Sequence, residues 1–232
     1  MSGTPTLRTD ATTPGAHRPA PAGAPGTTPS NWSRSRAPGL AVGALLAVSA
    51  VLLAVAPLLM PASYSWIDNG ISESAAQGVD GSWAARMGFL VFGLAVIWLS
   101  SLRAMVWQPV GRLLHLGFGI CMLAVAAFSS KPWAPDAVYL TSEDLLHSVF
   151  ASIMGFAFIV GTTAVLMARR SQTGRVAWFD TTAVAATTGL SSGMGAFPDI
   201  SGSLQRLMFL VAYGWYGREA IEATGKSAQP PS

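Results

Sequence analysis

Charge is what this sequence has least of. Asp, Glu, Lys and Arg make up 11% of its 232 residues, where a soluble domain carries about 25%. So few charges cannot build a water-facing surface of ordinary polarity, and 51% of the residues are hydrophobic. Lipid is the solvent that fits this composition. Cysteine is nearly absent: Cys121 stands alone, which excludes an intrachain disulfide and any CxxC metal or redox site. The motifs GxxxxGK[ST], HExxH and GxGxxG are missing, so the common phosphate-binding, zinc-protease and dinucleotide chemistries find no foothold. A net charge of +3 spread along the chain gives no nucleic-acid footprint.

Long apolar runs are what the sequence does have. Residues 1–37 are rich in Thr, Pro, Ala, Gly and Ser without an apolar period. Such a segment buries too little surface to offset its conformational entropy, and it reads as a disordered cytoplasmic tail. A domain of six transmembrane helices follows over 38–220, with segments near 39–60, 83–102, 111–128, 144–168, 176–197 and 204–217. Each longer run suffices to cross a bilayer core as a helix. The fifth carries many Thr, Ser and Gly residues and reads as a helix inside the bundle. The sixth is short and spans if Arg206 and Arg218 snorkel to opposite interfaces. Residues 221–232 read as a second cytoplasmic tail. The expected fold is all-α, a polytopic six-helix bundle.

Basic residues set the orientation. With both termini inside, only Arg86, Lys131 and Arg206 of the 14 Lys and Arg residues fall outside. Asp68, Glu73, Asp80, Asp136, Glu143, Asp144 and Asp199 lie on the outer side. Trp66, Trp83 and Trp133 would mark the outer interface, and Trp107, Trp178 and Trp215 the inner one. This predicts a multi-pass protein of the plasma membrane. Gly39-xxx-Gly43, Ala151-xxx-Gly155 and Gly189-xxx-Gly193 are small-residue pairs suited to close helix contact.

One cluster on the outer side carries candidate chemistry. Glu143 and Asp144 lie four and three residues before His147, so a helix starting there brings carboxylate and imidazole together. Such a pair serves as an acid/base couple or joins a metal site. The plainer reading is capping, with Thr141-x-x-Asp144 as a capping box. Arg206, just inside the last helix, pairs with Glu73, Glu143 or Asp199, or holds an anionic group. With one histidine on that side no metal set is complete, and no cofactor is expected. On the inner side, His115 and Asp180 read as polar contacts between helices.

Ile71-Ser-Glu-Ser-Ala-Ala-Gln-Gly78, Gly88-Phe-Leu-Val-Phe-Gly93, Glu143-Asp-Leu-Leu-His147 and Ser203-Leu-Gln-Arg-Leu207 together resemble the DUF998 membrane proteins (domain of unknown function 998), over roughly residues 40–220. The tail and the Ala and Gly content look actinobacterial. In that family an Ile-Ser-Glu/Asp loop follows the first helix, an Asp/His pair opens the fourth and a Gln-Arg pair opens the last; here Asp144 precedes His147. The resemblance implies a membrane-embedded fold and points to Glu73, His147, Gln205 and Arg206. With Glu143 and Asp144 these form the expected ligand-binding set. Three roles fit: a binder of a lipid or small molecule at an outer-leaflet pocket, an intramembrane hydrolase acting on a lipid or envelope substrate through His147, and a structural accessory protein. The lack of a visible nucleophile favours the non-enzymatic roles.

Overall fold

The computed structural model describes residues 36–225; most of the expected N-terminal tail and residues 226–232 fall outside them, while 221–224, expected in the second tail, continue the last helix. The described residues form six helices and no strand. These are α1 (Ala37–Val55), α2 (Trp83–Leu102), α3 (Ala104–Ala127), α4 (Thr141–Thr173), α5 (Trp178–Ala196) and α6 (Ser201–Thr224). Four helices are long and apolar enough to cross a membrane: α1 with its 3-10 continuation to Leu59, then α2, α3 and α4.

Each helix packs against its neighbours in chain order, and α6 returns to α1, which closes a ring. Aromatic side chains fill the middle. Phe92 stacks on Tyr213 at 4.4 Å, and Phe118 and Phe158 both close on Tyr216, at 5.2 and 5.7 Å. Two glycines set the α2–α3 distance. A Cβ on Gly93 would stand 2.7 Å from the Gly119 carbonyl oxygen, so only backbones without side chains approach this closely. The small-residue pairs behave unequally. Gly39 lies tight against Ala220 and Thr224, whereas Gly43, Gly155 and Gly189 face open space.

Helix boundaries differ from the sequence reading for identifiable reasons. The third segment begins at Ala104, seven residues early, and breaks at Gln108 (φ 56°, ψ 168°). Pro109 bars its predecessor from helical backbone, and the short turn before it is anchored by Arg103 and Trp107. The fourth helix has 33 residues and stops at Gly174, whose φ of 66° is the left-handed C-terminal stop. Its first residue is Thr141 itself, so the expected capping box does not form: Leu140 occupies the cap position and no side chain caps there. The sixth helix is not short. Its 24 residues reach about 36 Å, and the apolar run ended early only because Arg218, Glu219 and Glu222 interrupt it.

Gly93→Val should lower stability by roughly 1–3 kcal/mol through overpacking. Gly117→Val, where an added Cβ meets nothing within 4 Å, should melt close to wild type. Thermal unfolding in detergent distinguishes the two.

Candidate functional site

The loops 60–82 and 128–140 and the start of α6 meet at one end of the bundle, opposite the start of α1 and the end of α6. Most polar side chains here hold backbone. The Glu73 carboxylate accepts hydrogen bonds from the Gly70 N–H (2.6 Å) and the Asn69 amide (3.3 Å). Arg206 donates to the carbonyls of Trp66 (2.7 Å) and Asn69 (2.8 Å) and to the Tyr64 hydroxyl (2.8 Å). Its guanidinium also lies 5.3 Å from the Trp66 ring centre. Burial pushes the Tyr64 phenol above its ordinary value, against the opposing pull of Arg206. Arg86 donates to the carbonyls of Ala75 and Ala76. Arg206 therefore fixes the first loop to α6 through carbonyls and makes no ion pair with Glu73, Glu143 or Asp199 among the described residues.

His147 is buried, and its Nδ1 lies 2.8 Å from the Phe128 carbonyl. A carbonyl only accepts, so Nδ1 carries the proton and neutral Nε2 presents a lone pair. That Nε2 has no hydrogen-bond partner among the described residues. The expected carboxylate couple is absent: Asp144 accepts from the Lys131 N–H at 2.8 Å, and Glu143 makes no hydrogen bond with His147. Gln205 exchanges hydrogen bonds with Ser72, accepting from its N–H at 3.4 Å and donating to its hydroxyl at 3.2 Å.

Gln205 and Arg206 are sequence neighbours, about 100° apart around a helix, and they face different spaces. Arg206 borders an apolar pocket beside α1, with Leu53, Trp66 and Tyr213. Gln205 and Ser72 head a cleft of about 380 Å³ walled by α2, α4, α5 and α6. The cleft walls are Phe89, Ala151, Met154, Gly155, Met194, Met208 and Phe209, with Ser152 and Ser191 along them and no charged residue. Met154, Gly155, Met208 and Phe209 also border a void of about 30 Å³ deeper in the bundle, where the buried Thr187 hydroxyl has no partner. The six residues expected to form one site are thus distributed among loop anchors, a helix start and the head of this cleft.

The opposite end holds a network in which Asp180 and His115 make the polar contacts between helices that the sequence suggested, and whose centre, Glu219, the sequence reading missed. Glu219, fully buried, accepts from Arg103 Nε (2.9 Å), Trp107 Nε1 (2.8 Å) and Arg169. Asp180, also fully buried, takes Arg169 Nη1 on both oxygens (2.7 Å each) and Trp215 Nε1 (2.9 Å). Arg218 pairs with Glu222 at 2.8 Å. His115 stacks on Trp215 and lies tilted against Trp107, with ring centres 4.6 and 4.5 Å away, and its Nδ1 meets the Tyr216 hydroxyl at 2.9 Å. Trp107 and Trp215 are accordingly core residues rather than interface markers. The available signal was the presence of Asp180, Glu219 and Glu222 on the basic side: acids placed among arginines at helix ends call for partners.

No group of three or more His, Cys, Asp or Glu side chains among the described residues is arranged to hold a metal ion. The all-helical fold, with four helices long and apolar enough to cross a membrane, fits a helical membrane protein. The chain belongs to the family described as Protein of unknown function (DUF998), whose model matches residues 29–218. No curated protein and no solved structure matches it.

Glu219→Ala should destabilise the protein by roughly 1–3 kcal/mol, because the Trp107 indole loses its buried acceptor and Arg103 and Arg169 keep only Glu222 and Asp180 as partners. Glu222→Ala, at a partly exposed site, should cost under about 1 kcal/mol. Unfolding in detergent reads both values.

Proposed function

We propose that this protein binds a lipid or similar amphiphile with an uncharged polar head in the cleft between α4, α5 and α6. The carrying observation is the cleft's lining: methionine, phenylalanine and small residues along its length, with Ser72 and Gln205 at one end. Apolar walls with a few placed hydrogen-bonding groups are the usual make-up of a ligand site, and methionine adapts to flexible chains. No charged side chain lines the cleft, so an ionised head would be left without a counter-charge. A hydroxyl or ester head suits Ser72 and Gln205, with the acyl or prenyl part among Met154, Met194 and Met208. Glu73, Arg206 and Asp144 act on this site by holding the loops around it.

We further read the termini as cytoplasmic, in a bacterial plasma membrane. Arg36, Arg112, Arg170 and Arg175 are exposed at the end where α1 starts and α6 finishes, and the described carboxylates there are already paired. Asp68, Asp80, Asp136 and Asp199 are exposed at the other end. A reporter fused after residue 232 should be active on the cytoplasmic side; activity in the periplasm reverses the orientation.

Gly155→Trp provides the direct test of binding. Gly155 lines the cleft, and a Cβ there meets nothing within 4 Å, so the indole fills the cleft without shifting backbone. Mild-detergent purification of wild type should retain a neutral lipid or take up added diacylglycerol, both seen by native mass spectrometry. Gly155→Trp should lose the bound species at an unchanged melting temperature. A wild type that takes up no neutral amphiphile, or a variant that keeps it, overturns the reading.

A further inference from the structure

The charge pairing at the end where α1 starts and α6 finishes leaves one arginine in an unusual position. Arg103, Arg169 and Arg218 are matched by Asp180, Glu219 and Glu222. Arg112 is exposed and makes no hydrogen bond or ion pair among the described residues. It lies four residues beyond the break at Gln108, about one turn into the long run of α3. Its surroundings are apolar and equally exposed: Met105 is 85%, Val110 62% and Leu113 68% accessible. Such side chains belong against hydrocarbon, so Arg112 stands at the edge of the bilayer with no protein counter-charge. The break in α3 opens a groove of about 630 Å³ beside it, bordered by Ala104, Met105, Gln108, Pro109 and Leu113.

We propose that this groove seats an anionic phospholipid, with Arg112 on the phosphate and an acyl chain along Met105 and Leu113. Charge complementarity selects the occupant. A guanidinium offers paired donors to phosphate oxygens, and the apolar rim matches the chain of the same molecule. A free anion would satisfy Arg112 but leave the rim bare, and a zwitterionic lipid would bring its own cation to the phosphate. The site is separate from the α4–α5 cleft in both position and headgroup charge, and it stands or falls independently of that reading.

The test uses delipidated full-length protein in detergent, titrated with phosphatidylglycerol and, separately, phosphatidylcholine, with binding read by native mass spectrometry. Arg112→Gln should weaken phosphatidylglycerol binding about tenfold, as loss of one charge-assisted contact implies, at an unchanged melting temperature. Arg170→Gln removes an exposed arginine outside the groove and should leave the same binding step within about twofold of wild type. Phosphatidylcholine should bind more weakly than phosphatidylglycerol in wild type and equally to wild type and Arg112→Gln. Three results would overturn the proposal: wild-type phosphatidylglycerol binding by Arg112→Gln, equal binding of the two lipids by wild type, or displacement of phosphatidylglycerol by inorganic phosphate.

Discussion

Charge buried beside hydrocarbon has to be answered by opposite charge or by hydrogen bonds, and this requirement organises the bundle. The Glu219 carboxylate is where it is met most fully. Three side chains from the α2–α3 junction and from α4 converge on this one residue of α6. Arg169 then passes the connection to Asp180 on α5, where Trp215 of α6 also donates. A buried carboxylate without these donors would be too costly to keep ionised. The ring of helices is closed at this end by ion pairs and charge-assisted hydrogen bonds.

The other end meets the same requirement differently. Its cationic side chains bind carbonyl oxygens rather than carboxylates: Arg206 gathers Trp66 and Asn69, and Arg86 gathers Ala75 and Ala76. Gln77 joins the first loop to the second by accepting from the Leu140 N–H and donating to the Ser129 carbonyl. Loops held in this way keep their backbone groups satisfied near the membrane. The consequence for function is that the conspicuous ionisable residues are already engaged.

Helix positions were legible in the sequence because hydrocarbon imposes them: a run must be long, apolar and continuous to cross. Four runs obey this strictly. α5 and α6 obey it less, and there hydropathy failed to mark the true end, since Glu219 and Arg218 lie within a helix whose polar groups answer one another. Pairing was not legible. Spacing placed Asp144 three residues before His147, yet the carboxylate turns to Lys131 and the imidazole to Phe128, because loop 128–140 supplies closer partners. Adjacency also misled: Gln205 and Arg206 read as one motif but face different spaces across a helix. The small-residue pairs show the same limit, since a glycine such as Gly155 opens a cleft as readily as Gly93 closes an interface.

The central claim is that the space between α4 and α5 is a ligand site rather than a packing fault that closes in a bilayer. An experimental density map of the protein in lipid nanodiscs measures this directly. The account predicts an elongated feature between α4 and α5, with its head beside Ser72 and Gln205 and its tail along Met154 and Met208. A map in which α5 lies flush on α4, with Gly155 and Met194 in contact and no room between them, would contradict it.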